Sequence, residues 1–462
     1  MTNSETHGTS ADGGQWLRLL ALAWPIIVQR ATQSVVGLAD ALMVAPLGQN
    51  ALAAVTTGAF DSFVAIIFPM GTVFIVQSFA AQLRGKGDLE GARRYAWYGL
   101  GLALVAGAIG VSLIPLVPRV VALLGYDPAV ASLMSSFIAI RLLSVTPIVA
   151  TEALVNWYGG LGNTRLGMIC GLTTMTSNVA LNYLLIEPRF GLPGFGVAGS
   201  ASASVTASTL GLLPVAWAFF RSRKEFPGAS FAKLRFSEFR RMLRFGLPNG
   251  VNWFLEFGAF VVFINVVVGH LGTSALAAFN VVMQLNSVAF MPAFGMSSAG
   301  AILVGEALGA SQKDRVPKIV LLTAKLTMVW MLSVGLAYVF VPETLLRLFQ
   351  SDTSAEEVAF VRVGAQMLLF GCLWQCFDAA AMSVGESLRA AGDTAWPMWA
   401  RIVLAWAIFV PGGWYSVVVR GGGVSVTMSW VVGYLAALAT LLTLRFLSGR
   451  WREIKLVEEA VI

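Results

Sequence analysis

The sequence predicts an all-α integral membrane protein of twelve transmembrane helices arranged as two pseudo-symmetric six-helix bundles. Three observations predict it: a shortage of charge, a series of long apolar runs, and a second half that repeats the first. Of 462 residues, 57% are hydrophobic and 12% are charged, where a soluble domain carries roughly 25% charged residues. A water-facing surface cannot be covered at half that supply, and lipid is the solvent that does not require it. The mean hydropathy of +0.75 agrees.

The runs have the length a bilayer needs. Residues 95–118 and 424–444 contain no charged side chain, and about 20 apolar residues cross the hydrocarbon as a helix. The expected spans are 16–45, 51–80, 95–117, 129–158, 163–186, 195–220, 246–268, 275–305, 317–341, 357–385, 393–418 and 424–447. Residues 1–15 are polar and rich in Gly, Ser and Thr and are expected to be a disordered tail. They lack the basic start and small-residue cleavage site of a signal peptide.

Charge distribution sets the expected orientation. Basic residues gather in the second-to-third connection (Arg84, Lys86, Arg93, Arg94), the sixth-to-seventh (from Arg221, Arg223 and Lys224 to Arg244), the eighth-to-ninth (Lys313, Arg315, Lys318) and the C-terminal tail. The alternate loops hold little more than Arg119, Arg189, Arg347 and Arg420. The positive-inside rule therefore places both termini in the cytoplasm. The net charge of +7 belongs to this pattern and does not call for nucleic acid.

The repeat is read by sliding the chain past itself. Trp24-Pro25 opens a helix that closes at Leu47-Gly48 before Ala51-Leu52-Ala53-Ala54. Leu247-Pro248 opens one that closes at Leu271-Gly272 before Ala275-Leu276-Ala277-Ala278. The offset is about 223 residues and persists through Pro69 with Pro292, Gly71 with Gly295, and Gly85 with Gly309. The expected layout is therefore a tail (1–15), an N-terminal lobe (16–220), a basic cytoplasmic linker (221–245), a C-terminal lobe (246–447) and a cytoplasmic tail (448–462). Two six-helix repeats inserted in the same sense suit lobes that rock about a seam. Pro25, Pro69, Pro147, Pro248, Pro292, Pro397 and Pro411 lie in or at the start of spans, where proline bends helices. Kinks that aid packing and bends that serve transport suit these prolines equally.

Ionisable side chains inside a membrane cost several kcal/mol, from about 2.5 upward, so those retained are candidates for function. Asp40, Asp61, Arg141, Glu152, Glu256 and Asp378 lie within spans. Glu386 and Arg389 have the spacing of an i,i+3 ion pair. Asp40, Glu256 and Asp378 have no basic residue within a turn, and a buried carboxylate without a partner is satisfied by a proton or a cation. Either would change which arrangement of lobes is favoured. Asn178 and Asn182, spaced i,i+4, share a helix face and offer oxygens of the kind sodium prefers, and Ser202 and Ser204 add hydroxyls. The same polar residues equally suit helix packing. Trp253 and Phe257 flank Glu256, and the eighth span carries Met283, Gln284 and Met291. Aromatic faces attract organic cations and methionine makes adaptable walls, although lipid-facing or packing roles are commoner.

The segments Gly37–Gly48 with Ala51-Leu52-Ala53-Ala54, Leu161-Gly162-Asn163-Thr164-Arg165, Asn178-Val179-Ala180-Leu181-Asn182, Gly196-Val197-Ala198-Gly199 and Leu388–Thr394 together resemble the multidrug and toxic compound extrusion (MATE) family, in its bacterial NorM/DinF-like branch. The resemblance covers nearly the whole chain. It implies a central cavity and antiport of sodium or protons against organic substrates. By this resemblance Asp40, Asn178 and Ser204 match a cation-coupling site of the N-terminal lobe, and Glu256 and Asp378 match acids of the C-terminal lobe. Sodium would bind at Asp40 and Asn178 or at Glu256 and Asp378. Asn182 departs from the pattern, standing where many members have aspartate. Phe279-Asn280 replaces a frequent His-Gln, Trp374 stands where some members have tyrosine one turn before Asp378, and Asp61 has no family counterpart.

The expected function is ion-coupled export of cationic or amphiphilic organic compounds by a monomer in the bacterial inner membrane, with membrane lipid as its surroundings. The expected substrate cavity is lined by Trp253, Phe257, Met283, Gln284, Met291 and Trp374. The alternative is a flippase for a lipid-linked precursor, against which the mainly acidic mid-membrane charges argue. No cofactor is expected. Two histidines, His7 and His270, and the cysteines Cys170, Cys372 and Cys376 offer no multi-histidine metal centre and no disulfide framework. No catalytic constellation and no Walker-type phosphate loop is present, which argues against an enzyme or an ATP-driven pump.

Overall fold

The computed structural model describes residues 6–123, 125–189, 191, 193–222, 233–349 and 355–457. Their architecture is all helical: α1 (Gly14–Leu47), α2 (Gln49–Lys86), α3 (Leu89–Leu123), α4 (Pro128–Gly160), α5 (Arg165–Leu185), α6 (Gly196–Arg221), α7 (Phe236–Leu271), α8 (Thr273–Gly309), α9 (Lys313–Phe340), α10 (Phe360–Ala391), α11 (Ala395–Val419) and α12 (Val424–Leu447). Among the described residues, eleven of these are long and apolar enough to cross a membrane. The twelfth, α5, is the shortest and holds the two asparagines.

Several helices outrun their apolar stretches because polar residues cap them. Asp88 accepts from the Gly91 amide at 2.7 Å and starts α3. Asp127 does the same for α4 through Ala129 at 2.9 Å. Such caps satisfy amides that the first helical turn leaves free. The repeat extends to the turns: Gly48 and Gly272, at φ of 103° and 99°, end α1 and α7, a conformation that side chains disfavour.

The tail read as disordered is helical from Thr6. Once the apolar stripe beyond Trp16 fixes a helix, each added residue contributes a hydrogen bond without a new nucleation cost. Met1–Glu5 lie outside the described residues, as do Arg223 and Lys224 of the linker and residues 458–462 of the C-terminal segment. From Phe236 the linker is already the first turn of α7. There Glu238 receives two hydrogen bonds from Arg94 at 2.9 Å each and one from Tyr98 at 2.7 Å. After α12, Trp451 is buried and stacked on Phe446 at 5.3 Å.

Two compact units result, and they exchange helix starts relative to the sequence halves. One comprises Met1–Ile27 with Asn252–Ile462, the other Val28–Val251. In the first unit, Leu19, Leu22, Ala23 and Ile26 of α1 join the core formed by α7 to α12. Gly295 of α8 permits this, since a Cβ there would lie 2.7 Å from the Ile27 side chain. In the second unit the start of α7 packs on α2, and a Cβ at Gly250 would lie 2.6 Å from the Phe68 carbonyl oxygen. Asn249 also donates to the Gly71 carbonyl at 2.6 Å. Both exchanges follow the proline that opens their helix, Pro25 or Pro248, at repeat-related positions.

Candidate functional site

In the Val28–Val251 unit, the acid late in α1 meets the polar faces of α5 and α6. Asn182 Nδ2 donates to Asp40 Oδ1 at 2.6 Å, and Ser204 Oγ to Asp40 Oδ2 at 3.2 Å. Asn178 bridges behind them. Its Nδ2 donates to Ser204 Oγ at 3.2 Å, and its Oδ1 accepts from Asn182 at 3.2 Å. The i,i+4 spacing of the asparagines puts both on one face, and the small residues of α6 bring that face close. A Cβ at Gly199 or Gly211 would clash with Leu185 or Thr174 of α5. Asn178 and Asn182 are fully buried, with Ser204 and Asp40 nearly so. Arg141 of α4 lies within electrostatic reach of Asp40 without a hydrogen bond to it. The carboxyl group thus sits in a buried pocket where both its oxygens are held by neutral donors. Asn182 Oδ1 is buried without a partner, which leaves an amide oxygen beside the acid. Of the residues the sequence singles out for this site, the structure brings together Asp40, Asn178, Asn182 and Ser204. Ser202, half-buried on α6, makes none of these hydrogen bonds.

The second acid cluster departs from expectation. Glu256 of α7 does not lack a basic partner: Arg401 Nη1 of α11 donates to its Oε2, and Tyr434 of α12 donates to Oε1 at 3.2 Å. No base lies within a turn of Glu256 on α7 itself, and Arg401 comes from another helix. Asp378 of α10 lies within electrostatic reach of both Arg401 and Glu256. Aromatic rings close the cluster on one side, with Phe409 at 4.9 Å and Phe260 at 5.9 Å from the Tyr434 ring. π-helical turns at Phe263–Val268 and Val403–Phe409 follow the two charged residues in α7 and α11, a distortion frequent at functional positions.

The residues expected to line a cavity divide. Trp253 lies against Phe294 at 6.3 Å, Phe257 and Met291 are half-buried, and Gln284 is exposed. Met283 packs against the core. Trp374 is a core residue, 2% exposed, whose indole N–H donates to Asn286 Oδ1 at 3.2 Å. It presents almost no surface, because its position on α10 turns it into the core of the bundle. A groove of about 650 Å³ lies between α1 and α5, lined by Val35, Met43, Met175, Val179 and Tyr183. Its side chains come from two separate helices and carry no local signal in the sequence.

Arg30 was also missed. It lies in the apolar body of α1 and forms a buried bidentate pair with Glu152, at 2.9 and 3.2 Å. Asn156 adds a further hydrogen bond to the carboxylate at 3.1 Å. A charged residue inside a span was the available signal. Glu152 therefore pairs across helices. Glu386 and Arg389 form the ion pair their spacing predicts, at 2.5 Å. Asp61 is half-buried on α2 with one oxygen unpartnered.

Comparison with known proteins decides the family. Residues 25–184 and 248–414 match the MatE family profile, one segment in each half and together more than two thirds of the chain. The chain belongs to the MatE family. It is a multi-pass membrane protein, similar along its length to a probable multidrug resistance protein NorM of Agrobacterium fabrum, with 26% identity over 98% of this chain and 99% of that one. A NorM of Pseudomonas putida is 28% identical over 96% of each. Among solved structures, an outward-facing multidrug resistance MATE family transporter aligns with a TM-score of 0.85 at 20% identity, covering 95% of this chain and 97% of that one. A MOP superfamily transporter from Pyrococcus furiosus gives 0.85 at 20% identity over 96% and 97%. These two likenesses concern the fold.

Proposed function

We propose that this MatE protein is a secondary active antiporter of the bacterial inner membrane that exports cationic or amphiphilic organic compounds in exchange for sodium or protons. Both termini would lie in the cytoplasm and the two lobes, 16–220 and 246–447, would alternate access by a rocking motion. The multidrug resistance proteins similar to it along its whole length support the substrate class. The observation that carries the coupling assignment is Asp40, an acid buried among neutral donors with both oxygens engaged.

The coupling logic follows from those bonds. A proton or cation that takes an Asp40 oxygen competes with the Asn182 or Ser204 donor that now holds it. Occupancy therefore loosens the tie between α1 and the α5–α6 pair. An ion that binds one packing of these helices better than another shifts the balance between them. The groove of α1 and α5 lies on the same two helices, so repacking would reshape its walls.

The test is purified protein in liposomes loaded with a fluorescent organic cation, under a sodium gradient or a pH gradient imposed separately. Dye movement driven by one gradient supports the antiport and names the ion. Folded protein that moves dye under neither gradient overturns it.

A further inference from the structure

One acid of the second unit, Glu256, already holds a cation belonging to the chain, the Arg401 guanidinium. We propose that Arg401 is a tethered counter-cation that occupies the Glu256–Asp378 pair and so excludes sodium from this lobe. The inference deepens the coupling assignment above and makes Arg401 a residue that determines which lobe takes the ion.

Four observations carry it. Both Glu256 oxygens are engaged, one by Arg401 and one by Tyr434. The arginine is held in register, because Trp406 on the same helix donates to the Leu255 carbonyl at 3.0 Å, next to Glu256. Its other terminal nitrogen passes over Gly385 of α10, 3.5 Å from where a Cβ would stand, so the guanidinium reaches between α7 and α10. Finally, Asp378 is within electrostatic reach of that guanidinium. The guanidinium is bonded to one carboxyl group, Glu256, and lies within electrostatic reach of the other. A hard cation needs several free oxygens, and here it would face a fixed positive charge at close range in a medium that screens poorly. The Asp40 cluster differs: its donors are neutral, and Arg141 is not bonded to the acid.

The test reads sodium binding in the purified full chain with radioactive sodium, so its failure is separate from any failure of transport. Asp40→Asn removes the first cluster and isolates the second. We expect D40N to bind sodium weakly, with no further loss on adding D378N. We expect D40N/R401Q to bind sodium about tenfold more tightly than D40N or better, as removal of a neighbouring like charge should give, and D378N to abolish that gain. Equal sodium affinity in D40N and D40N/R401Q overturns the proposal. Should R401Q fail to fold, the variants that keep Arg401 still decide: sodium binding in D40N that D378N abolishes would mean that sodium occupies the pair beside the arginine.

Discussion

Asp40→Asn separates the charge of the first cluster from its shape. The amide oxygen of the new side chain can keep the bond from Asn182 Nδ2, now at 2.6 Å. Its NH2 would face Ser204, whose hydroxyl turns from donor to acceptor. Hydrogen bonds to charged groups contribute about 1.5–3 kcal/mol against about 0.5–1.5 for neutral ones. The two weakened bonds therefore cost roughly 2–3 kcal/mol, which relief from burying a carboxylate offsets. The fold should survive, with a melting temperature in detergent within several degrees of wild type. Function should not survive. A monovalent cation about 4 Å from a carboxylate gains roughly 4 kcal/mol at an effective dielectric of 20, or about a thousandfold in ion affinity. Gradient-driven efflux in liposomes should accordingly fall to background. Efflux within about twofold of wild type under either gradient, in folded protein, would refute the reasoning and remove Asp40 from coupling.

Further outcomes follow from the same geometry. Ser204→Ala removes one donor to Asp40 and the acceptor of Asn178. It should lower stability by about 1–3 kcal/mol and weaken coupled efflux without abolishing it, as thermal melts and the liposome assay would read. Tyr434→Phe deletes one of the two bonds to Glu256, at a cost of about 1 kcal/mol; an unchanged melting temperature would count against that bond. Gly250→Val should destabilise by at least about 2 kcal/mol through contact with the α2 backbone, whereas Gly101→Ala, with open space around it, should express and melt like wild type.

The sequence by itself determined the solvent and the repeat. Charge scarcity and run length depend only on composition along the chain, and they place nearly every span within a few residues. Only α5 falls short of the apolarity of a span, because Asn178 and Asn182 dilute it. In the first acid cluster Asp40, 142 residues from Asn182, is joined to the asparagines only by the family resemblance, whereas the α5–α6 part was legible directly. The asparagine spacing is local, α5 and α6 are neighbours in sequence, and the small residues of α6 announce close packing.

Tertiary structure decided the rest. Arg401 reaches Glu256 across 145 residues, and Arg30 reaches Glu152 across 122. Periodicity along one helix cannot show either pairing. Which face of a helix meets which neighbour is set by rotation and register, and those are fixed by contacts summed over whole interfaces. The exchange of the α1 and α7 starts between the compact units has the same origin. Proline marks where each helix is free to bend, and glycines at the contacts, Gly295 of α8 and Gly250 of α7, decide where the bent segment comes to rest.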